Sequence, residues 1–421
     1  MVVGGKMKKI IISILVMLVM FCCIGVTYFI GVKNFDNTNT DNTLQNNIVQ
    51  QKDEPKYQPQ DITATLTVCG DIMSHMPQTN DAWNITQNKY DYSPMLQDAS
   101  SWISKADYAV GNLETTFAGG PDYSGYPAFN TPDELSDALK NAGFDLLLTA
   151  NNHCMDKRYD GLVRTLDVLD QRQIAHVGTY RTQEERDFNN GIVVADVGGI
   201  SVAFLGYTYG TNGIPVKDDK KFSVNIFNKD YMTNASELDK ELLLSDIEYA
   251  KSLNTDLIAV MIHWGIEYQI EQNQYQRNVA QFLLDNGVDI ILGGHPHVLQ
   301  PMYLCTSTGE NGEQNQGFIC YSLGNFISAQ KDKYTDTTVI LNLKLQKDGQ
   351  TGKAYVKDFN YVPMLMVNRG SGAENRFELL DAYKTLSEMN ENSEIITKVN
   401  NAINDCHFIL GAENDINNMV A

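Results

Sequence analysis

Five times in this chain an apolar, strand-like run stops at a cluster of histidine, aspartate, asparagine or glutamate. The pieces are CGDIMSH (69–75), VGNLETT (110–116), TANNHCMD (149–156), MIHWGIEY (261–268) and GGHPHVLQ (293–300). They hold five of the seven histidines. Neutral imidazole and carboxylate are the usual ligands of Zn, Mn and Fe. Several such groups at strand ends are what a two-metal hydrolytic site requires. Between the runs lie helical stretches, at 92–106, 132–142, 159–172, 236–253 and 274–286. Strand and helix alternate, which places the chain in the α/β class. Thr131 and Ser236 are the expected helix caps, with Pro132 at a first helical position. The Gly198–Gly199 pair reads as a turn between two strands.

The first 33 residues differ from the rest. Lys6, Lys8 and Lys9 precede residues 10–32, a stretch of 23 without a charge. That length spans a hydrocarbon core of about 30 Å. Basic residues on its N-terminal side predict that end inside and the remainder outside. The reading is an uncleaved signal anchor. Residues 34–60 are rich in Asn, Gln and Asp and read as a solvated stalk. The folded part is expected at 61–370, with a helical appendage at 371–421. Beyond residue 33 the chain has 28 basic residues against 52 acidic, a net −24. Such a surface excludes general nucleic-acid binding. Five cysteines lie beyond the anchor, too few for a disulfide scaffold. Cys305 and Cys320 flank a Gly/Asn-rich turn and would bond if the register set them opposite each other.

Each motif has a plain structural reading beside the chemical one. Asp71 and His75, in the order Gly-Asp-x-x-x-His, can converge on one cation, although an Asp after a strand commonly makes a turn. Asn112 and Glu114 follow another strand, and a carboxylate there can bridge two ions. Asn152 and His153 sit at a strand end, and Asp156 is spaced to orient His153 and raise its pKa, suiting it to act as an acid. His263 ends a buried strand, with Glu267 nearby to fix a tautomer or touch substrate. His295 and His297, with Pro296 between them, point two imidazoles at one place. Asn325, after the strand at 317–323, is a supporting hydrogen-bond partner. His176 and His407 read as structural. Five structural accidents would have to coincide for the set to carry no chemistry. The loop at 209–221 has a composition suited to covering a site.

Together, GDIMSH, GNLETT, ANNHCMDKRYDG, HVGTY, HWGIEY, GGHPHVLQP and YSLGNFI resemble the CapA family of poly-γ-glutamate capsule synthesis proteins, over roughly residues 65–330. That family is similar in fold to the calcineurin-like metallophosphoesterases. The resemblance implies a four-layer α/β/β/α sandwich behind an N-terminal transmembrane helix. It also implies two divalent ions (Mn, Zn or Fe). Carried over by motif, Asp71, His75 and His297 would hold one ion, and Asn152, His263 and His295 the other. Glu114 or Asp71 would bridge them, and His153 would be the acid beside the leaving group. The chain departs from the metallophosphoesterase pattern in two places. Three residues rather than one separate Asp71 from His75, and GNLE replaces the second aspartate motif. The expected function is a membrane-anchored extracellular component of anionic polymer synthesis or export, working with synthase or export subunits. The alternative is a surface metallohydrolase acting on a phosphoester or an amide-type bond.

Overall fold

Alternation along β1 (Ile62–Ile72) shows how these segments become strands. Ala64, Leu66 and Val68 face the central core, while the threonines between them face the other way, as a two-residue period demands. The computed structural model describes residues 59–308, 314–373, 375–388 and 394–418. The expected anchor and the stalk up to residue 58 lie outside them. Among the described residues no helix is long and apolar enough to cross a membrane.

The remaining strands, in chain order, are β2 (Trp83–Asn84), β3 (Lys89–Tyr90), β4 (Tyr108–Leu113), β5 (Leu146–Leu148), β6 (Ala175–Val177), β7 (Val193–Val197) and β8 (Ile200–Thr208). Then follow β9 (Leu257–His263), β10 (Ile290–Gly294), β11 (Leu299–Thr308), β12 (Gln314–Leu323), β13 (Asn325–Ile327), β14 (Thr337–Lys347), β15 (Ala354–Asn368) and β16 (Phe377–Asp381). One sheet has the order β16-β15-β14-β1-β4-β5-β6, with β13 beside the end of β1. The other has the order β11-β12-β10-β9-β8-β7. Each contains a parallel run, β1-β4-β5-β6 in the first and β8-β9-β10-β12 in the second.

The sheets pack face to face. Leu66, Val110, Leu146 and Leu148 of the first meet Phe204, Met261 and Leu292 of the second. Helices Gln97–Ile103 and Glu134–Ala142 cover the outer face of the first sheet through Ile103 and Leu139. Helices Lys240–Ser252 and Gln274–Asp285 cover the second through Leu243, Ile247 and Leu283. The architecture is mixed α/β, with two central sheets and a helical layer on each outer face.

Local details differ from expectation. The helix expected from Pro132 begins at Glu134, and the expected cap Thr131 shares its hydroxyl with that of Thr115 at 2.7 Å instead. Asp239, not Ser236, caps Lys240–Ser252, since Ser236 is bound by Asp230. Cys305 pairs with Gly317 and Met302 with Cys320, so the two thiols are out of register and free. The segment expected as a helical appendage first contributes β16 to the sheet edge, and only then forms helices Ala382–Glu388 and Glu394–Leu410.

Candidate metal centre

The C-terminal ends of the parallel strands from both sheets meet at one edge, where ligands collect in open α/β sheets. Asp71 lies one residue before the end of β1, Asn112 lies in β4 and Glu114 follows it. Asn152, His153 and Asp156 follow β5. His263 closes β9, and His295 and His297 follow β10. The register of β1 with β4 slips between Val68 and Asp71, which re-aims the aspartate. Gly294 permits the two sheets to approach here, since a Cβ on it would lie 2.5 Å from Asp71 Oδ1. His295 and His297 both have left-handed backbones (φ 97° and 62°). Such strain costs about 1–3 kcal/mol per residue and persists where surrounding structure enforces it.

Two groups of side chains have ligand atoms within 4.8 Å of one another. One is Asp71, Glu114 and His263, and the other is Glu114, His295 and His297. Glu114 belongs to both. Its side chain is buried and neither carboxyl oxygen has a hydrogen-bond partner, while His263 Nε2 stands 3.4 Å from Oε1. His295 Nδ1 is likewise buried and unpartnered. Buried polar atoms left without partners are costly. Glu114 and His295 belong to one ligand group, so the cluster is compatible with divalent metal ions.

The remaining contacts hold these groups in place. Asp71 accepts from Asn112 Nδ2 at 2.7 Å and from the His295 backbone N–H at 3.0 Å. Asn152 Oδ1 lies 2.9 Å from His263 Nε2. Asn325 Oδ1 lies 3.0 Å from His297 Nδ1. Glu267, at the rim, comes within 4.0 Å of His297 Nε2. His75 belongs to neither group. It starts helix Met76–Asp81, its Nδ1 accepts from the Ala329 backbone N–H at 3.3 Å, and its ring meets the edge of Phe129. The expected partition is also rearranged: His263 shares a group with Asp71, and His295 shares one with His297.

Electrostatics follow from burial. Burial, then the Glu114 charge, raises Asp71 to about 7. Burial raises Glu114 to about 8. Burial lowers His263 and His75 to about 4 and His297 to about 3, and holds His295 well below the ordinary histidine value. His153 goes the other way. Burial opposes its charge, but the Asp156 hydrogen bond and the charges of Glu114, Asp156 and Glu267 outweigh burial and raise its pKa. His153 Nδ1 is 2.7 Å from Asp156 Oδ2, which also accepts from the Phe129 backbone N–H at 2.6 Å.

A family model described as bacterial capsule synthesis protein PGA_cap matches residues 65–330. The chain belongs to this family. It is 30% identical over 296 residues to the capsule biosynthesis protein CapA of Bacillus anthracis, covering 68% of this chain and 64% of that protein. It is 29% identical over 297 residues to the PGA biosynthesis protein CapA of Bacillus subtilis (strain 168), covering 70% of each. The chain thus spans just under two thirds of the Bacillus anthracis protein. Among solved structures it is similar to a novel phosphatase from Mycoplasma pneumoniae, at 13% identity and TM-score 0.37, covering 72% of this chain and 94% of that one.

The matched PGA_cap span includes every residue of both ligand groups and the His153–Asp156 pair. It also includes site residues that motif reading did not single out. The Tyr209 ring lies 4.7 Å from that of His295, and Asn212 Nδ2 lies 3.4 Å from His153 Nε2. Both come from the loop at 209–221, whose composition was the available signal. Phe129 separates His75 from His153, its ring edge-on to both. An isolated aromatic residue gave no signal in the sequence. A separate cavity of about 590 Å³, lined by Arg186, Asn225, Lys229 and Asp246 among others, lies away from the cluster.

Proposed function

We propose that this protein is a membrane-anchored, extracellular component of poly-γ-glutamate (capsule-type anionic polymer) synthesis or export, with a dinuclear metal centre. Family membership and the names of its relatives support the polymer assignment. The basic-then-apolar N-terminus supports the anchor, with the N-terminus cytoplasmic and the main domain outside. Expected partners are the membrane and the synthase or export subunits, with no nucleic acid. The observation that carries the metal reading is Glu114, which belongs to both ligand groups and whose two buried oxygens have no hydrogen-bond partner.

Asp71, Glu114 and His263 would hold one divalent ion, and Glu114, His295 and His297 the other, with Mn, Zn or Fe as the matching elements. When bound, such ions polarise an acyl or phosphoryl oxygen and lower the pKa of water to near neutrality. The chain's own residues supply the rest. Asn112 and the His295 backbone N–H orient Asp71. Asp156 holds the His153 ring and favours its protonated form, placing a proton donor at the edge of the centre. The Tyr209 ring packs on that of His295, and Phe129 packs on that of His153. That proton donor also favours a second reading, a surface metallohydrolase of a phosphoester or amide-type bond outside capsule synthesis.

One experiment separates these readings. The full-length protein and its His295→Ala/His297→Ala variant are compared for metal content, and each is returned to a strain lacking the gene for polymer assay. Loss of both metal and polymer supports the proposal. Loss of metal with polymer intact rejects metal-dependent polymer synthesis. Metal-free wild-type protein after reconstitution with Mn²⁺ or Zn²⁺ rejects the metal centre.

A further inference from the structure

Two candidate ligand histidines are held by amides whose orientation the backbone fixes, and the two amides act in opposite senses. Asn325 Nδ2 donates to the Thr335 carbonyl at 3.0 Å and to Gln330 Oε1 at 2.9 Å. A carbonyl only accepts, so the nitrogen must face it and Asn325 Oδ1 must face His297 Nδ1. His297 therefore carries its proton on Nδ1 and leaves the Nε2 lone pair free. His295 Nδ1 and the Glu114 oxygens also have no hydrogen bonds to give up. The group of Glu114, His295 and His297 is preset to receive a cation.

His263 is set the other way. Asn151 Nδ2 donates to the Leu113 carbonyl at 2.7 Å, and Asn151 Oδ1 accepts from the His153 backbone N–H at 3.2 Å. Asn151 Nδ2 also donates to Asn112 Oδ1 at 3.1 Å. Asn112 must then turn Nδ2 toward Asp71 Oδ1 and toward His263 Nδ1, the latter 3.1 Å away. His263 Nδ1 accepts, so its proton sits on Nε2. There Asn152 Oδ1 receives it, while Asn152 Nδ2 donates to Asn212 Oδ1 at 3.2 Å. The nitrogen that faces Glu114 is Nε2, 3.4 Å from Oε1, and ligation through it needs that proton moved to Nδ1, where it would meet another donor. The Asn112 amide would have to turn over and release Asp71.

We propose that the two groups load unequally and in order, a deepening that rests on the metal reading above. Glu114, His295 and His297 take the first divalent ion. Asp71, Glu114 and His263 take the second, only as the His263 proton passes from Nε2 to Nδ1 and Asn112 rotates. The His263 step is a tautomer shift that conserves its proton, and the protons that Asp71 and Glu114 hold in the metal-free chain leave to solvent as each carboxylate meets the cation.

The test uses the full-length protein. Long-range ¹H–¹⁵N spectra of the metal-free chain are expected to show His297 protonated at Nδ1 and His263 at Nε2. The reverse tautomer at either histidine overturns the proposal. Titration with Mn²⁺ is expected to resolve two classes of site at least about tenfold apart, the scale on which partners of metal ligands act. His297→Ala removes the tighter class, and His263→Ala removes only the weaker. Equal affinities, or a tighter class lost in His263→Ala and kept in His297→Ala, overturn the order and leave the metal centre standing. Absence of any Mn²⁺ uptake overturns both.

Discussion

Glu114 shows how a single residue can be a liability for folding and an asset for binding. Its buried carboxyl has no hydrogen-bond partner, so an apolar side chain of similar volume relieves a desolvation cost of about 1–3 kcal/mol. Glu114→Leu is expected to melt higher than the metal-free wild type while losing metal uptake, as calorimetry beside elemental analysis would show. Titration gives a second prediction. Asp71 (about 7) and Glu114 (about 8) hold protons in the folded, metal-free chain that the unfolded chain has released above about pH 4.5. Their contribution therefore falls as pH rises toward 8. His263 and His75 (about 4) and His297 (about 3) are neutral when folded, while the unfolded chain protonates them below about pH 6.5. Their contribution falls as pH drops below that value. Above pH 6.5 the two carboxylates and His153, whose pKa is raised, all lose their contribution as pH rises, so the Tm of EDTA-treated protein should fall from pH 6.5 to 8. Mn²⁺-loaded protein, with both carboxylates ionised as ligands, should show a shallower slope.

At the scale of elements, strand ends decide the site. β10 delivers His295 and His297 only because Gly293 and Gly294 let it lie against its neighbours. A Cβ at 293 would fall 2.1 Å from the Tyr321 carbonyl oxygen, and one at 294 would meet Asp71. Gly294→Ala should thus displace Asp71 and lower stability by about 1–3 kcal/mol, the usual cost of overpacking. The readout is a weakened Mn²⁺ isotherm with the far-ultraviolet circular dichroism unchanged. An unchanged isotherm would mean that Asp71 is no ligand. Element types were legible because periodicity and apolar runs are local. The ends were less so: the expected caps Thr131 and Ser236 are taken up by Thr115 and Asp230, pairings that the capping pattern does not mark.

For the whole molecule, charge is the constraint. A chain with net charge −20 repels a free polyanion, so under the proposed function contact with poly-γ-glutamate has to be local and cation-assisted. Binding of the polymer to the full-length protein should be negligible in EDTA, appear with Mn²⁺, and weaken in His297→Ala. Binding of equal strength in EDTA would reject the cation-assisted contact. By itself the sequence determined the alternation of strand and helix, the polar residues stationed at strand ends, and the family, since these are written in neighbouring residues. Only the tertiary structure decided which residues meet. His263 stands with Asp71, His295 with His297, and His75 with neither, while Tyr209, Asn212 and Phe129 join from loops. The reason is physical. Convergence depends on the order of strands across two sheets and on their register, which are fixed by packing between segments far apart in the chain.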